Sequence, residues 1–413
     1  MPTVAYLTNQ FPSEVEWYVN DEIAELRRRG VRVLPCSSLP ARGAPAEFDP
    51  CRSETRYLWP LRWRVVLRAL WHLLMRMPMV VEFLDHILRA PGVTLLRRLK
   101  AVGHTLLGVY YAALLRDHNV DHIHVHHGYF SSWVAMVAAR MLRIRFSMTL
   151  HGSDVLLRAD FLSLKLRECA FCFTVSEFNR RSILRRFPEV DGAKVQLRRL
   201  GVEVPAATLP PCGPRVGAPV LLAVGRLHPV KNHTFLLQAC YLLREWGLKF
   251  RCLIVGEGPE RRRLALLIRR LGIDEVVSLA GHVPHEKIGA YYELADLVVL
   301  TSHSEGIPLV LMEAMARGKV VLAPDITGIP ELVLDGETGF LFRPGQLEEF
   351  VWQAQRILSA LDTLGPVRRA ARLHVSETFE RRTNLERFAE RFVEQIGRDS
   401  TGCNDEGLVL QQI

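Results

Sequence analysis

The chain reads Ser-Glu-Gly-Ile-Pro-Leu-Val-Leu-Met-Glu-Ala-Met-Ala over residues 304–316. Just before it, residues 295–301 form a short run rich in leucine and valine, which is typical of a buried parallel strand. After the Gly-Ile-Pro turn, residues 309–317 have the apolar spacing of a helix. The stretch therefore predicts a strand-to-helix turn flanked by two carboxylates, Glu305 and Glu313, eight positions apart.

A turn of this kind is suited to bind a phosphate. The first amides of a helix have no partner within the helix, and the positive end of the helix dipole attracts an anion. Gly306 allows a ligand to approach the backbone closely. Glu313 can accept hydrogen bonds from paired ribose hydroxyls, and Glu305 can accept them from sugar hydroxyls. The pair suits a nucleotide sugar, although each carboxylate taken alone is better explained as an ordinary helix-start or solvated loop residue.

Two more strand ends carry polar or glycine-rich loops. Residues 219–224 form a predicted strand that runs into a loop with Arg226 and Lys231. Residues 250–255 form another, which ends in Gly-Glu-Gly-Pro at residues 256–259. In an open parallel sheet, ligands bind outside the carboxyl ends of the strands. The two cations can therefore neutralise a diphosphate leaving group.

These loops carry a resemblance to a known family. In order along residues 219–345, the matching segments are 225–227 with Lys231, 255–259, 281–283, 305–313, 328–333 and 336–341. The ordered set resembles the family-4 retaining glycosyltransferases of the GT-B architecture. The resemblance implies an α/β fold with two Rossmann-like domains facing a central cleft, and a C-terminal helix that crosses back to the N-terminal domain. It also implies a hexosyltransferase that takes its sugar from a nucleotide-diphosphate sugar.

The resemblance also assigns roles to individual residues. Arg226 and Lys231 would bind the diphosphate, Glu313 the ribose and Glu305 the transferred sugar. His151 would reach the donor sugar near the reacting carbon. Further positions expected in the nucleotide-sugar site are Gly225, Gly256, Gly306, Ile307 and Leu309.

The N-terminal half has the alternating strands and helices of a βαβ series. The predicted strands are 4–8, 31–34, 122–127 and 146–150, and the predicted helices are 21–29 and 131–142. Residues 7–12 and 149–152 resemble family members that build bacterial exopolysaccharides of the colanic-acid type. Where many relatives have a glycine-rich loop, this chain has Asn-Gln-Phe-Pro-Ser at residues 9–13. Proline and a bulky aromatic do not allow the same close backbone approach, so the usual phosphate or acceptor contact of that loop is not carried over to this chain.

Composition and the later helices suggest the domain limits. The prolines of residues 205–219 indicate a linker. The predicted parts are an N-terminal acceptor-binding domain over 1–208 with a basic amphipathic helical insertion near 52–115, a C-terminal nucleotide-sugar domain over 215–378, a crossing helix over 379–397 and a disordered tail over 398–413.

Metal binding is not expected. His122, His124 and His126 share one face of a strand, but a buried strand explains them better than a zinc site. Cys169 and Cys172 are expected within a strand over 169–175, where core packing explains them. Because no Asp-x-Asp motif occurs, the leaving diphosphate is expected to be neutralised without a metal, and no cofactor beyond the nucleotide-sugar co-substrate is predicted.

Charge and cysteine usage indicate the compartment. Eight cysteines without regular spacing favour a reducing compartment, and the sequence shows neither a signal peptide nor an apolar stretch long enough to span a bilayer. We therefore expect a cytoplasmic protein. The net charge is +9, but no nucleic-acid motif accompanies it.

Residues 51–104 form the most unusual region, with ten Arg or Lys and three acidic residues among Trp, Leu, Met and Val. Pro78 and Pro91 are expected to divide it into short helices. Two interpretations remain open: an amphipathic surface on anionic lipid at the inner face of the cell membrane, or helices that pack on the N-terminal domain with their arginines in water. On the first, the saccharide acceptor would be linked to a polyprenyl diphosphate.

The predicted function is the transfer of a sugar from a nucleotide-diphosphate sugar to a glycan or lipid-linked saccharide in bacterial polysaccharide biosynthesis. Two alternatives stay open at this point. A nucleotide-sugar epimerase-like enzyme would bind the donor but no acceptor. A non-catalytic membrane-associated scaffold would be expected to lack Arg226, Lys231 or Glu313, and all three are present.

Overall fold

The chain forms two compact units in the computed structural model, which describes residues 1–13, 16–40, 49–156, 160–207, 209 and 217–402. Unit 1 comprises Met1–Val175, Asn179–Arg198 and Leu385–Ile413, and unit 2 comprises Ser176–Phe178 and Arg199–Asn384. Each unit is built around one parallel sheet, and both halves are Rossmann-like as predicted.

The sheet of unit 1 has seven strands in the order β3-β2-β1-β4-β5-β6-β7. The strands are β1 Thr3–Phe11, β2 Arg32–Pro40, β3 Arg56–Tyr57, β4 His122–His126, β5 Arg145–Leu150, β6 Cys172–Thr174 and β7 Val195–Leu197. Each neighbouring pair is parallel, and the central strands are buried on both faces. This burial explains why they read as nearly continuous apolar runs.

Helices connect the strands of this sheet. They are α1 Trp17–Arg28, α2 Asp49–Glu54, α3 Trp63–Met75, α4 Met77–Arg89, α5 Leu95–Leu115, α6 Phe130–Leu142, α7 Ser153–Leu156, α8 Leu162–Glu168 and α9 Glu177–Arg186. Nearly every residue of α6 is buried. Helix α5 approaches α6 closely at Gly108, where a Cβ atom would lie 2.6 Å from Cβ of Val137. Only glycine fits this helix crossing.

The insertion between β3 and β4 forms three helices, as Pro78 and Pro91 predict. Pro78 lies in the first turn of α4, where its missing amide costs no hydrogen bond. Helix α4 is anchored by buried Val80, Phe83 and Ile87, and the ring of Phe83 lies 5.8 Å from that of Trp133. In contrast, Ala69 is the one buried residue of α3, so most of that helix remains accessible.

The sheet of unit 2 has six parallel strands in the order β10-β9-β8-β11-β12-β13. These are β8 Val220–Val224, β9 Arg251–Val255, β10 Val277–Gly281, β11 Leu297–Val299, β12 Val320–Pro324 and β13 Phe340–Phe342. The accompanying helices are α10 His233–Glu245, α11 Arg261–Leu271, α12 His285–Leu294, α13 Leu309–Ala316, α14 Leu347–Ser359 and α15 Gly365–Thr378. The strands predicted at 219–224, 250–255 and 295–301 are present as β8, β9 and β11, and the helix predicted at 309–317 is present as α13.

The last helix, α16 Arg381–Gly402, leaves unit 2 and packs on unit 1. Phe388 contacts Phe173 with a ring distance of 5.4 Å, and Phe392 packs edge-on against His124 at 5.1 Å. The crossing helix is therefore present. It continues to Gly402, so residues 398–402 are helical and do not belong to a disordered tail as predicted. The rest of that tail, 403–413, lies outside the described residues.

The division into units falls earlier than the predicted linker. Residues 199–207 belong to unit 2, because the amide of Val202 donates to the carbonyl of Phe379 at 2.9 Å and the amide of Arg381 donates to the carbonyl of Val202 at 3.0 Å. Much of the predicted linker, residues 208 and 210–216, lies outside the described part of the chain.

Two local predictions are wrong. Residues 9–11 form strand instead of loop, because Gln10 and Phe11 continue the parallel pairing with β2. The strand predicted over 169–175 is shorter, because the amide of Cys169 ends α8 by donating to the carbonyl of Lys165. Both cysteines are nevertheless buried free thiols, as core packing predicts. Over the described part of the chain, none of the helices combines the length and apolar character that a membrane crossing requires.

Candidate functional site

Lys231 and Glu305 meet at the carboxyl edge of the unit 2 sheet. Lys231 follows β8 in a short 3-10 turn, and Glu305 follows β11. The ammonium Nζ lies 2.6 Å from Oε1 of Glu305, and the Ser302 hydroxyl donates to the same oxygen at 2.6 Å. Thr301 fixes the backbone of the lysine loop by donating to the carbonyls of Lys231 and Asn232. The pair is therefore held from both strands.

Arg226 lies on the same loop but makes no such contact. Its side chain is exposed, and it follows Gly225, which has a φ of +157°. An exposed guanidinium beside a paired lysine leaves a fork of donors that can reach a phosphate. The structure thus brings Lys231 and Glu305 into contact and leaves Arg226 on the outside of the loop.

Glu313 lies in the second turn of α13 and is buried. The hydroxyl of Tyr292 donates to Oε2 at 2.7 Å, and Nε2 of His285 lies 3.1 Å from Oε1. The hydrogen bond to Glu313 raises the pKa of His285, while burial raises the pKa of Tyr292 well above its usual range. Both carboxylate oxygens are engaged, so any ligand hydroxyl that bound Glu313, as predicted for a ribose, would have to share or replace the half-exposed His285.

Glycines draw the strand-end loops of β8 and β9 together. A Cβ on Gly256 would lie 2.0 Å from the carbonyl oxygen of Gly225, and one on Gly258 would lie 2.4 Å from that of Leu227. The amide of Leu227 in turn donates to the carbonyl of Glu257 at 2.9 Å. These glycines are therefore required by the contact of the two loops, whatever a ligand also needs.

The turn before α13 is held by its neighbour. The hydroxyl of Thr327 donates to the carbonyl of Glu305 at 2.6 Å, and Gly328 packs so closely that a Cβ there would lie 2.1 Å from the carbonyl oxygen of Gly306. Ile307 is buried, and Leu309 begins the helix. The amides predicted to face a donor therefore lie in a turn with fixed geometry.

His151 belongs to unit 1, where β5 ends. Its Nε2 lies 2.9 Å from Nδ1 of His126, and its ring lies 5.2 Å from that of Tyr18. Burial and the neighbouring His127 hold the pKa of His151 well below its usual range, so the ring is neutral at physiological pH. His151 thus contacts His126, the last of the buried histidines of β4.

The histidines of β4 bind polar partners of the protein itself. His122 and His124 both contact the Ser147 hydroxyl at 2.7 Å, and burial lowers the pKa of His122 to about 3. His126 contacts Tyr6 and Glu22 through Nε2, each at 3.1 Å. Among the described residues, no group of three or more His, Cys, Asp or Glu side chains is placed to hold a metal ion.

His127 differs from its neighbours because it is a cation. It has a φ of +70°, its Nε2 lies 2.5 Å from Oε1 of Glu16, and its Nδ1 lies 3.8 Å from Oδ2 of Asp154. Burial alone would lower its pKa, but the carboxylates of Asp154 and Glu16 raise the pKa of His127 to about 10. Asp154 also accepts hydrogen bonds from the amides of Gly128 and Gly152, each at 2.9 Å.

The histidines His126, His127 and His151 and their buried polar partners form a cluster in unit 1. The sequence prediction missed four members of this cluster. They are Tyr6, Glu22, Asp154 and Arg198. One signal was available for Glu22: it lies four positions from both Tyr18 and Leu26, on the buried face of α1. A carboxylate on an apolar stripe must find a buried partner. Nothing in the local sequence indicates that this partner is Arg198, which comes from the segment after β7.

Two family models match successive parts of the chain. Residues 15–205 match the family described as Glycosyltransferase Family 4, and residues 212–372 match Glycosyl transferases group 1. WcaL of Escherichia coli (strain K12), assigned to colanic acid biosynthesis as a glycosyltransferase, is 35% identical over 196 residues, which are 45% of this chain and 48% of that protein.

A second relative is AmsK of Erwinia amylovora, an amylovoran biosynthesis glycosyltransferase. It is 32% identical over 176 residues, which are 41% of this chain and 43% of AmsK. The chain thus spans about half the length of the curated relatives it matches.

Solved structures share the fold over nearly the whole chain. Sucrose-phosphate synthase of Thermosynechococcus elongatus has a TM-score of 0.72 at 19% identity, covering 96% of this chain and all of that one. HepE of Anabaena in complex with UDP-glucose has a TM-score of 0.70 at 18% identity, covering 95% of this chain and all of that one. With a family 4 domain followed by a group 1 domain, each on its own parallel sheet, the chain belongs to the glycosyltransferases of the GT-B fold.

Proposed function

We propose that the chain is a retaining hexosyltransferase that moves a sugar from a nucleotide-diphosphate sugar to a saccharide acceptor in bacterial exopolysaccharide biosynthesis. The contact between Lys231 and Glu305 at the carboxyl edge of the unit 2 sheet carries this proposal. In this proposal, the lysine binds the diphosphate and the neighbouring carboxylate binds the sugar. The relatives WcaL and AmsK, named for polysaccharide biosynthesis, support the acceptor class.

The proposed chemistry needs no metal ion. The bond between the anomeric carbon and the β-phosphate oxygen breaks, and a bond from that carbon to the acceptor oxygen forms. The acceptor proton leaves with the diphosphate. Lys231, Arg226 and the amides of the turn before α13 stabilise the negative charge on the leaving group. Glu305 holds the sugar hydroxyls, and Glu313 holds the ribose.

A donor screen tests this proposal. Calorimetry measures the binding of UDP, GDP and the common UDP and GDP sugars to the wild type. UDP-glucose is tested first, because the structure of HepE was solved with it. We expect one nucleotide series to bind, and Lys231→Met to weaken it by about 10- to 100-fold, since the substitution removes a charge-assisted contact worth about 1.5–3 kcal/mol. Candidate saccharide acceptors are then added with the donor that binds, and formation of the transfer product identifies the acceptor.

Lys249→Met is the matched control. Lys249 is exposed and precedes β9, at the opposite edge of the same sheet. Its removal should leave donor affinity unchanged. If the wild type binds no nucleotide, or if both lysine substitutions weaken binding equally, the assignment of the donor site is wrong.

The insertion of unit 1 supports a second element of the proposal, which is binding to a membrane surface that contains anionic lipid. Trp63, Leu67, Leu70 and Leu74 follow one face of α3 at helical spacing, with Trp71 beside them. These five side chains are each 51% to 68% exposed. An exposed apolar stripe of this kind needs a partner.

Charge favours lipid as that partner. Exposed Arg62, Arg64 and Lys100 lie among the exposed apolar residues of this insertion. A cavity of about 430 Å³ between α3 and the end of α5 is lined by Trp71, Arg116 and other residues. Basic side chains around an apolar stripe suit an interfacial helix on anionic headgroups. An acceptor linked to polyprenyl diphosphate would then lie in the same surface.

Vesicle flotation tests this element. The wild type should float with vesicles of phosphatidylcholine and phosphatidylglycerol, and less with phosphatidylcholine alone. Replacing both Trp63 and Trp71 by serine should reduce binding by about tenfold or more, because each buried aromatic contributes roughly 1.5–3 kcal/mol. Trp352→Ser, an exposed tryptophan of unit 2, is the control. Binding that survives the double substitution, or a dimer that the substitution dissociates, would assign the stripe to another partner.

A further inference from the structure

A buried chain of polar side chains leads through unit 1 to His151. It begins with an ion pair between Arg198 and Oε1 of Glu22. Oε2 of Glu22 lies 3.1 Å from Nε2 of His126, and Nδ1 of His126 lies 2.9 Å from Nε2 of His151. Glu22 and His126 are fully buried, and Arg198 is 6% exposed. No role assigned so far uses the first three members of this chain.

The charges in this chain determine where its protons lie. Burial alone would raise the pKa of Glu22, but the Arg198 cation and the hydrogen bonds from His126 and Tyr6 hold it below its usual value, so Glu22 is a carboxylate that only accepts hydrogen bonds. The Tyr6 hydroxyl also lies 3.1 Å from Nε2 of His126, but it donates its one proton to Oε2 of Glu22. Nε2 of His126 therefore faces an oxygen that only accepts, and it carries a proton. The single negative charge of Glu22 is already paired with Arg198, so a second buried cation at His126 would lack a counter-ion.

A neutral His126 with its proton on Nε2 has a bare Nδ1. The 2.9 Å contact to His151 then requires that Nε2 of His151 donates to it. Because His151 is itself neutral, its remaining nitrogen, Nδ1, carries no proton. The ring can accept a hydrogen bond there and cannot donate one.

We propose that Glu22 and His126 are positioning residues that fix His151 in the tautomer with its proton on Nε2, so that Nδ1 accepts a hydrogen bond from a hydroxyl of the bound sugar. The inference rests on the proposed function for the identity of that sugar. A neutral acceptor differs from an imidazolium in one important way: it does not repel the positive charge that develops on a sugar ring as its glycosidic bond breaks.

The cation His127 fits this arrangement. Its ring centroid lies 4.6 Å from that of His151, and its charge is balanced by Glu16 and Asp154. The site therefore keeps one imidazole charged and its neighbour neutral. Such a separation of roles between adjacent titratable groups is a common feature of catalytic sites.

Ring-¹⁵N histidine labelling tests the proposal without any substrate. Two-bond ¹H–¹⁵N spectra of the wild type show for each ring which nitrogen carries the proton, and the signals of His126 and His151 are assigned by their loss in His126→Gln and His151→Gln. We expect both rings with a protonated Nε2 and a bare Nδ1. A His151 ring protonated on Nδ1, or on both nitrogens, would overturn the proposal.

Glu22→Gln should reverse the direction of the hydrogen bonds along this chain of side chains. Arg198 retains the amide oxygen as its partner, so the amide NH₂ faces His126 and donates to Nε2. The His126 proton then moves to Nδ1, and His151 becomes protonated on Nδ1. We expect the turnover number for transfer to fall by about 10- to 100-fold with little change in the Michaelis constant for the donor, as for other residues that orient an active side chain.

Glu25→Gln is the matched control, because Glu25 lies on the same helix and pairs with Arg28 and Arg29 instead. It should change neither tautomer nor turnover. A Glu22→Gln protein that keeps the wild-type tautomer of His151 also overturns the proposal. If that variant does not fold, the wild-type spectrum still decides. Absence of nucleotide binding with the expected tautomers would reject the proposed function alone.

Discussion

The charged state of His127 gives the clearest quantitative prediction, because its contribution to the free energy of unfolding can be measured as a function of pH. Its Nε2 contacts Glu16 at 2.5 Å, and the ring is 13% exposed. The neighbouring carboxylates, acting against burial, raise its pKa to about 10. The ordinary value is about 6.5, and each unit corresponds to about 1.4 kcal/mol, so the shift sets a ceiling of about 5 kcal/mol on its contribution to stability.

We expect His127→Gln to lower the free energy of unfolding by about 2–4 kcal/mol at pH 6. This is less than the ceiling, because glutamine can still donate one hydrogen bond to Glu16, while Asp154 keeps the amides of Gly128 and Gly152 as donors. His86→Gln, at a side chain of α4 that is 40% exposed, is the control and should cost less than about 0.5 kcal/mol.

The dependence on pH identifies the cause. A group whose pKa is raised on folding stabilises fully below its unfolded pKa, and the contribution is lost as the pH rises through the folded value. The difference between wild type and His127→Gln should therefore be constant below about pH 6.5 and shrink steadily towards pH 10. The pH dependence of wild-type stability alone does not isolate His127. Burial lowers the pKa of Lys165 to about 7, and this shift changes the free energy of unfolding in the opposite direction over the same pH range.

Guanidinium unfolding followed by tryptophan fluorescence measures this difference. Five of the seven tryptophans, at positions 17, 59, 63, 71 and 133, belong to unit 1, so the signal reports mainly on the unit that contains His127. If the free energies of unfolding of wild type and variant stay parallel from pH 6 to pH 10, the reasoning is refuted. A neutral His127 would contribute equally to stability at every pH in that range.

Three further substitutions test the local geometry. Gly256→Ala should destabilise unit 2 by at least about 2 kcal/mol in thermal unfolding, because its Cβ would lie 2.0 Å from a backbone carbonyl oxygen at a φ of +143°. Thr105→Val should cost about 1–3 kcal/mol, because it removes the buried acceptor that lies 2.9 Å from Nε1 of Trp133. Tyr292→Phe should weaken nucleotide binding about fivefold in calorimetry, because it removes the hydrogen bond that orients Glu313.

Each of these has a matched control. Gly336→Ala introduces a side chain at a φ of +75° with no atom within 4 Å, so it measures backbone strain without a clash. Thr105→Ser keeps the hydroxyl and should recover most of the lost stability. Tyr291→Phe alters the adjacent tyrosine and should leave nucleotide affinity unchanged. Equal effects of variant and control would contradict the geometric explanation in each case.

The fold could be predicted because its signals are local. Each parallel strand is a short apolar run, and each ends in a loop with glycine, proline or a charge, as at residues 225–231 and 256–259. The contact of Lys231 with Glu305 follows from topology, since β8 and β11 are neighbours and their carboxyl ends share one edge. Errors arose where tertiary pairing overrides local pattern, as when β1 continues to Phe11 beside β2.

The cluster around His151 could not be predicted, because its members come from distant segments of the chain. Tyr6 lies on β1, Glu22 on α1, Asp154 on α7 and Arg198 just beyond β7. A local pattern indicates burial for such residues but not their partners. Arg198 in particular looks like any surface arginine, yet its guanidinium lies 4.6 Å from the ring centroid of Phe388, which α16 contributes from the other end of the chain.

The energetic cost of this cluster is an argument for its use. Burying Glu22 and Arg198 takes two charges out of water, and well-packed apolar residues of similar volume are commonly as stabilising as a buried ion pair. Helix α1 could bury an apolar residue in place of Glu22, since the rest of its inner face is mainly apolar. The polar network lowers the pKa of His151, raises that of His127 and costs desolvation energy. It contributes little to stability that simple apolar packing would not contribute. Control of where protons lie next to a sugar is a contribution that apolar packing cannot make.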